Sequence, residues 1–244
     1  MKDRQGRVPR LYVSTDLSPH ARLVLPEDTA HHAARVLRLR EGELALLFDG
    51  RGGEYEARLS MPGRGQVLAQ VGERRDVERE SPLAVTLVQA VSSGEKMDFT
   101  IQKAVELGVA AIQPVLTVKS VVRLNAEREE KKLAHWKRVA IAACEQCGRN
   151  RIPDIGMPMP LERYRAPAEA SKILLSPSGT AKLAALARNP VTLAVGPEAG
   201  FSDEEAQLLQ RAGFVPARLG QRVLRTETAA LAALAALNAL AGDF

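Results

Sequence analysis

The sequence predicts an α/β protein in which a small β-barrel domain precedes a larger domain with a mostly parallel sheet. Residues 10–72 carry short apolar runs separated by Gly-rich turns, a pattern typical of a small barrel. From residue 83 onward, strands of buried type alternate with helical stripes, which indicates an α/β layer. The charged, aperiodic stretch 73–82 predicts a linker. The predicted domains are therefore 1–72 and 83–244.

Composition limits the class of protein. The 244 residues are 45% hydrophobic and 26% charged, which excludes collagen-like, disulfide-scaffold and wholly disordered chains. The formal net charge of +5 suits a polyanionic partner, although an ordinary basic surface has the same charge. The cationic start of the chain has no apolar run behind it, and the longest apolar stretch, 229–241, is too short to span a bilayer. We expect a soluble, cytoplasmic protein without a membrane partner.

The spacing of apolar residues and turns predicts five short strands and one helix in the first domain. The helical window opens after Pro26 and covers residues 27–39. Turn pairs such as Asp49-Gly50 separate the strands. The predicted strands are 11–13, 23–25, 44–48, 55–59 and 67–71.

Strand and helix alternate along the second domain. Residues 83–91 form a near-continuous apolar run, as expected for a strand that is covered on both faces. Ser92 with Glu95, and Ser202 with Glu205, have the spacing of capping boxes and predict helix starts. The other predicted elements are strands 111–116, 172–175 and 191–195 and helices 125–147 and 226–240.

The cysteines and histidines favour structural roles over metal or redox chemistry. Cys144 and Cys147 have C-x-x-C spacing, but the chain has no second pair, and both lie along the apolar stripe of helix 125–147. For His31 and His32 the sequence indicates no nucleophile or carboxylate that would converge with them, so a solvated or RNA-facing surface is the better interpretation. No metal is expected.

Residues 196–200 form the first of two loops that could bind a ligand. This loop joins a buried strand to a capped helix, and sheets of this class bind ligands at the carboxyl ends of their strands. Gly196 and Gly200 let a ligand approach the backbone closely, Pro197 stiffens the turn, and Glu198 is a lone carboxylate. Taken alone, the loop is better explained as an ordinary strand-to-helix connection.

The second loop, residues 219–225, follows a short strand and leads into the last helix. Thr226 is a reasonable N-cap, and Arg225 and Glu227 lie at the helix start, where backbone N–H groups are unpaired. The nucleotide-binding signatures of the P-loop and dinucleotide type are missing. Two ligand-facing loops at one edge of a sheet indicate a binding site more strongly than either loop alone.

At these two loops the sequence resembles the SPOUT methyltransferases, and within them the small-subunit ribosomal RNA (uracil-N3) methyltransferase group. The paired signature is Gly196-Pro197-Glu198-Ala199-Gly200 with Leu219-Gly220-x-x-Val223-Leu224-Arg225-x-Glu227-Thr228-Ala229. Further matches are Gln102-Lys103-Ala104-x-Glu106-Leu107-Gly108, Pro114, Glu145-Gln146-x-x-Arg149 and Pro153. The first domain is similar to the PUA-like domain of that group. Ala199 stands where the family usually has glycine, and alanine fits there if its φ is negative.

The resemblance implies a trefoil-knotted methyltransferase domain, a homodimer and S-adenosylmethionine as cofactor. The last helix is apolar nearly all round, which suits a dimer interface or burial within one subunit. The residues assigned to the cofactor are Leu174, Leu175, Ser176, Gly196, Pro197, Glu198, Gly200, Leu219, Gly220, Val223, Leu224 and Thr226.

The implied reaction is methylation of uracil N3 in small-subunit (16S) ribosomal RNA, naked or in the assembled subunit. Arg225 is expected to stabilise the developing anion, while Glu198 and Glu227 compete as proton acceptor, with Glu198 favoured by its loop position. Two alternatives stay open: a knotted enzyme acting on a tRNA ribose 2′-hydroxyl, and a non-catalytic RNA-binding ribosome-assembly factor. The candidate RNA contacts are Lys2, Arg4, Arg7, Arg10, Arg35, Arg38 and Arg149.

Overall fold

The computed structural model describes residues 8–63, 65–120 and 126–244. The chain divides into two units, and each is described by itself. Unit 1 comprises Met1–Glu80 and Cys144–Ile152, and unit 2 comprises Ser81–Ala143 and Pro153–Phe244. Unit 1 therefore includes a short segment from the middle of the sequence, which the periodicity of the chain does not indicate.

Unit 1 is built on a five-stranded sheet. Strands β1 and β3 pair in parallel, and the other neighbours, in the order β1-β3-β4-β5-β2, pair antiparallel. All five strands predicted from the sequence are present, and the fourth and fifth extend further than predicted. Their bounds are β1 (Arg10–Tyr12), β2 (Arg22–Val24), β3 (Leu44–Phe48), β4 (Glu54–Gly63) and β5 (Gln66–Arg75).

Side-chain alternation along these strands forms the core of unit 1. Ala57 and Leu59 of β4 are buried, whereas Arg58 between them is exposed, as the period of two along a strand requires. The same alternation in β5 buries Ala69 and Val71. The apolar cluster of unit 1 therefore lies against one face of the sheet.

The predicted helix over residues 27–39 is shorter than expected. Helix α1 (Glu27–His31) continues as one π-helical turn, His32–Val36. Arg38 then takes a positive φ of 57°, which the right-handed helix does not accommodate. The chain consequently leaves the helix before Leu39.

The predicted linker 73–82 is structured near both of its ends. Strand β5 runs to Arg75, so the stretch begins inside a strand. Further along, Arg79 Nη1 donates to the carbonyl oxygen of Gly148 at 2.8 Å, and Glu80 pairs with the Arg149 guanidinium. These contacts explain why the segment Cys144–Ile152 belongs to unit 1.

Unit 2 contains a seven-stranded sheet in which every described pair is parallel. The order is β12-β10-β11-β6-β7-β8, and β9 also pairs with β7. This confirms the predicted mostly parallel sheet. The bounds are β6 (Val85–Ala90), β7 (Ala111–Leu116), β8 (Asp154–Ile155), β9 (Met159–Pro160), β10 (Ser171–Leu175), β11 (Val191–Val195) and β12 (Val215–Ala217).

Both faces of this sheet are buried. Leu174, Ala194 and Val88 lie in register on one face and share a cluster with Leu209 of a helix. Residues in register on the opposite face, such as Leu193, are also buried, as expected for a parallel sheet between helical layers. The helices are α2 (Gly94–Glu106), α3 (Ala126–Cys147), α4 (Asp203–Arg211) and α5 (Thr226–Ala241).

One predicted capping box is confirmed and the other is wrong. At α4, the Ser202 hydroxyl accepts from the Glu205 N–H, and the Glu205 carboxylate accepts from the Ser202 N–H. At α2, the N-cap is Ser93, and no side chain caps the helix. Ser92 is buried in the short connection between β6 and α2 instead, because the chain turns into the helix one residue later than predicted.

Within the described ranges, no helix is long and apolar enough to cross a bilayer. The same residues contain no group of three His, Cys, Asp or Glu side chains placed to hold a metal ion.

Candidate active site

A cavity of about 450 Å³ opens in unit 2 at the carboxyl ends of β10, β11 and β12. This volume lies in the range of roughly 300–1,000 Å³ that is typical of small-molecule sites. Three loops form most of the wall, at residues 174–178, 195–201 and 217–224, and the start of α5 closes it. Because the three strands are parallel, their ends meet at one edge of the sheet and bring these loops together.

Eleven of the twelve predicted cofactor residues line this cavity. Gly220 is the exception, because it does not line the cavity. Its φ of 66° contributes to the turn of the second loop. The eleven are Leu174, Leu175, Ser176, Gly196, Pro197, Glu198, Gly200, Leu219, Val223, Leu224 and Thr226. The structure therefore assembles in one place a set of residues that the sequence distributes over more than fifty positions.

The loop at 196–200 is tightly closed on itself. A Cβ atom on Gly196 would lie 2.9 Å from the Phe201 backbone nitrogen, so only glycine permits this turn. Gly200 has a φ of 69°, and its N–H donates to the Pro197 carbonyl at 2.8 Å. Ala199 is not among the described non-glycine residues with positive φ, so the alanine at this position fits without backbone strain.

A side-chain bridge fixes the first residue of this loop. The Thr226 hydroxyl donates to the Gly196 carbonyl oxygen at 2.7 Å, and Gln89 Nε2 donates to the same hydroxyl at 3.0 Å. The prediction that Thr226 is the N-cap of α5 is wrong, since Arg225 takes that position and Thr226 is the first helical residue. Its hydroxyl donates to the backbone of the 196–200 loop and does not cap its own helix.

Glu198 is held by an ion pair at the edge of the cavity. Lys96 Nζ in the first turn of α2 lies 2.8 Å from Glu198 Oε1. The hydrogen bond from Lys96 lowers the pKa of Glu198 below its ordinary value, and partial burial opposes this only in part. Glu198 is therefore ionised at neutral pH, and one of its oxygens is already occupied.

The other two predicted catalytic residues lie at the start of α5 but are not among the cavity-lining residues. Arg225 is exposed at the N-cap position. Glu227 is half-buried, and its Oε2 atom is buried without a hydrogen-bond partner among the described residues. Each is adjacent to Thr226, which does line the cavity. Of the three predicted catalytic residues, only Glu198 lines the cavity.

The predicted RNA contacts fall into three groups. Lys2, Arg4 and Arg7 lie outside the described residues. Arg35 and Arg38 belong to unit 1 and are exposed, in and next to the π-helical turn. Arg10 and Arg149 form the third group.

The assignment of Arg10 and Arg149 as RNA contacts is corrected, because neither guanidinium is at the surface. The Arg10 side chain is 10% exposed, and its Nη1 donates to Glu54 Oε2 at 2.6 Å. The Arg149 side chain is 4% exposed and pairs with Glu80. A phosphate would have to break these buried pairs, so we withdraw both residues from the RNA-contacting set.

Cys144 and His32 also take structural positions. Cys144 is buried, and burial raises the pKa of its thiol to about 12, which leaves it protonated and unreactive. His32 Nε2 lies 3.8 Å from Glu145 Oε2 in unit 1. The structure therefore gives neither residue a place in the cavity.

Several lining residues were not anticipated from the sequence. Phe201, Arg218 and Arg222 all border the cavity. Arg222 lies within the second signature, which could have suggested it, whereas Lys96 reaches Glu198 only through the tertiary fold. A contact between residues about a hundred positions apart leaves no local sequence signal.

Comparison with known proteins decides the family. Residues 79–238 match the model of an RNA methyltransferase domain, and residues 25–72 match that of an RNA methyltransferase PUA domain. The chain belongs to this RNA methyltransferase family. It is 33% identical to the ribosomal RNA small subunit methyltransferase E of Buchnera aphidicola, over 99% of this chain and 97% of the relative. It is 35% identical to the protein of the same name from Mycobacterium bovis, over 94% of this chain and 90% of the relative.

Solved structures agree with this family. A protein from Legionella pneumophila, in complex with the bound cofactor SAM, superposes with a TM-score of 0.94 at 41% identity, covering 98% of this chain and 100% of that one. The ribosomal RNA small subunit methyltransferase E of Neisseria gonorrhoeae, bound to S-adenosylmethionine, gives a TM-score of 0.91 at 40% identity with the same coverage. The expected fold, a PUA-like domain followed by a SPOUT methyltransferase domain, is confirmed.

Proposed function

We propose that this methyltransferase transfers a methyl group from S-adenosylmethionine to N3 of a uridine in small-subunit (16S) ribosomal RNA. The observation that carries the proposal is the cavity lined by eleven of the twelve residues expected to bind the cofactor. The names of the relatives specify small-subunit ribosomal RNA, and two solved relatives hold the cofactor. The choice of N3 comes from the resemblance of the two loop signatures.

The residues of the cavity suit S-adenosylmethionine. Leu174, Val223 and Leu224 provide apolar wall for an adenine ring, and the tight turn at Gly196 brings backbone groups to the surface of the cavity. S-adenosylmethionine supplies a methyl group on a positively charged sulfur. The protein's contribution is to align that methyl group with the acceptor nitrogen and to exclude other geometries.

The acceptor must lose a proton for N3 to attack. The new bond joins N3 to the methyl carbon as the carbon–sulfur bond breaks, and the N3 proton passes to a carboxylate. In the proposal Arg225, beside the cavity-lining Thr226, stabilises the negative charge on the uracil carbonyls. Glu198 and Glu227 are the carboxylates that the sequence suggests for this step.

Unit 1 is proposed to position the RNA, and a homodimer is proposed to complete the enzyme. The exposed Arg35 and Arg38 provide phosphate contacts, which supply affinity without sequence choice. Helix α5 buries Leu234 and Leu237, while Leu240 on the same helix is 50% exposed, so part of its apolar surface suits a second copy of the chain. We place this activity in the cytoplasm, together with the ribosomal RNA.

The test is transfer of a labelled methyl group to small-subunit RNA, and to 30S particles that lack the modification, followed by nucleoside analysis. The proposal expects labelled 3-methyluridine from at least one of the two substrates. Labelled 2′-O-methylated nucleosides from tRNA, with none from ribosomal RNA, would contradict it in favour of a ribose methyltransferase. A protein that binds RNA but shows no heat of S-adenosylmethionine binding in calorimetry would instead be an assembly factor.

A further inference from the structure

The Lys96–Glu198 ion pair assigns a role to a residue that neither loop signature contains. We propose that Lys96 is a positioning residue that holds the 196–200 loop in its cofactor-binding conformation through Glu198. The inference rests on the proposed cofactor role of the cavity. It extends that role by assigning Glu198 to the anchoring of the loop.

The two ends of the loop have their own attachments. At the start, the Thr226 hydroxyl binds the Gly196 carbonyl. At the far end, Lys119 Nζ lies 3.4 Å from the Phe201 carbonyl oxygen, and the capping residue Glu205 accepts from the Val118 N–H at 2.8 Å. These contacts fix where the loop enters and leaves the cavity wall.

The middle of the loop depends on Lys96. In the described part of the chain, residues 197–199 make one hydrogen bond to a partner outside the loop, the 2.8 Å contact between Lys96 Nζ and Glu198 Oε1. The hydrogen bond between Gly200 and Pro197 is internal to the turn and does not attach it to the sheet. Loss of the ammonium group therefore releases the segment that faces the cavity.

Lys96 is attached to a rigid element. Its neighbour Met97 and the next-turn residue Ile101 are fully buried, which fixes α2 in unit 2. The Thr100 hydroxyl also donates to the Lys96 carbonyl at 2.8 Å. The position of the ammonium group is consequently set by the core, and the loop is positioned relative to it.

The same ion pair with Lys96 makes Glu198 a weaker proton acceptor. Lys96 occupies Oε1 and stabilises the carboxylate, so proton uptake by Glu198 is less favourable than for an unpaired carboxylate. The geometry thus favours a role for Glu198 in holding the loop over a role as proton acceptor.

The experiment is a double-mutant cycle with Lys96→Met and Glu198→Gln in the full-length protein, read by calorimetry with S-adenosylmethionine and by steady-state kinetics. Both side chains are about a third exposed, at 37% and 32%, so the pair is partly screened. Each single variant should weaken cofactor binding about two- to fivefold, and the double variant should be no weaker than either. In Lys96→Met, the KM for the cofactor should rise by a larger factor than kcat falls.

Two further variants distinguish positioning from general loss of a surface charge. Lys96→Arg keeps the cation and should restore most of the affinity. Lys103→Met removes a lysine of the same helix that is equally exposed, at 36%, and pairs with Glu106 at 2.7 Å. This control should leave both the dissociation constant and the kinetics unchanged.

Three outcomes would overturn the inference. One is a Lys96→Met protein that binds the cofactor as the parent does. Another is additive losses in the double variant. The third is a Glu198→Gln protein that keeps its cofactor affinity but loses kcat, since this would make Glu198 the proton acceptor. If the parent protein binds no S-adenosylmethionine at all, the proposed function itself fails, which is a distinct result.

Discussion

The hydroxyl of Thr226 donates to the carbonyl oxygen of Gly196 at 2.7 Å and so connects the first residue of α5 to the first residue of the 196–200 loop. Gln89, at the end of β6, donates to the same hydroxyl at 3.0 Å. The two signatures found in the sequence are therefore one hydrogen-bonded arrangement in the fold. Changes at this bridge should affect both the stability of unit 2 and the shape of the cavity.

Replacing Thr226 with valine removes the bridging hydroxyl and keeps the side-chain shape. The Gly196 carbonyl would lose this donor in a part-buried position, and the Gln89 amide would keep only the Ala90 carbonyl, so the free energy of unfolding should fall by about 1–3 kcal/mol. Urea titration measures this loss, and calorimetry should show weaker S-adenosylmethionine binding. Thr228→Val, at an exposed position of the same helix, is the control and should change neither quantity. Unaltered cofactor affinity in Thr226→Val would show that the bridge does not shape the cavity.

Replacing Arg225 with alanine tests the proposed stabilisation of the uracil anion. Methyl transfer should fall by about 10²–10³-fold, the usual cost of removing one group that stabilises developing charge. Cofactor affinity should be largely kept, because Arg225 does not line the cavity. Arg211→Ala, an exposed residue at the end of α4, controls for loss of a surface charge. Full activity in the Arg225→Ala protein would remove the residue from the mechanism.

The buried carboxylate of Glu54 should make unit 1 sensitive to acid. Burial alone would raise the pKa of Glu54, but the hydrogen bond and charge of Arg10, together with the charge of Arg79 and a hydrogen bond from Asn150, outweigh it, and the pKa lies below the ordinary value of 4.5. Because the folded-state pKa is depressed, the stabilisation is complete above the unfolded value and is lost as the pH falls through the folded value.

Glu54→Gln is the matching variant. At pH 7 it should lower the free energy of unfolding of unit 1 by about 3–5 kcal/mol, since Arg10 would be left without its buried partner. Below about pH 5 the gap between the variant and the parent protein should narrow. Urea titrations at several pH values measure both effects. Glu56→Gln, an exposed position on the same strand, should follow the parent curve; a parallel shift of the Glu54 variant at every pH would contradict the assignment.

The exposed arginines of unit 1 should act as phosphate contacts. Replacing Arg35 and Arg38 together with alanine should weaken RNA binding and reduce the salt slope of log K by about 2, one unit for each phosphate that is no longer neutralised. The effect should be similar for RNAs of different sequence. Arg188→Ala, an exposed arginine of unit 2, serves as the control in the same salt titration. An unchanged slope in the double variant would exclude both residues from the interface.

Periodicity predicted the elements well because it follows directly from burial. The buried run at the start of the second domain and the Ser202–Glu205 capping box both have local causes, and both are present as expected. The start of α2 was misplaced because Ser92 and Ser93 are chemically alike, and only packing decides which of them becomes buried. Local chemistry thus predicts that a helix exists more securely than it predicts its first residue.

The candidate site was predictable where backbone shape defines it. Gly196 and Gly200 are needed by the turn itself, so their positions in the sequence identify the loop. The partners of charged side chains were not predictable. In the sequence Arg10 is indistinguishable from a surface cation. Only the fold shows that its guanidinium forms a buried ion pair with Glu54. Lys96 was overlooked for the same reason, because its role depends on a carboxylate in another part of the chain.

The segment Cys144–Ile152 has a consequence for how this protein can change in evolution. Asn150 Oδ1 accepts from Arg10 Nη2 at 2.5 Å, and the Arg149 guanidinium pairs with Glu80, so unit 1 depends on residues encoded between two stretches of unit 2. A recombination event that exchanged only the first 80 residues would pair them with a foreign segment. We therefore expect substitutions at Arg10 or Glu80 to destabilise unit 1 unless residues 149–150 change with them.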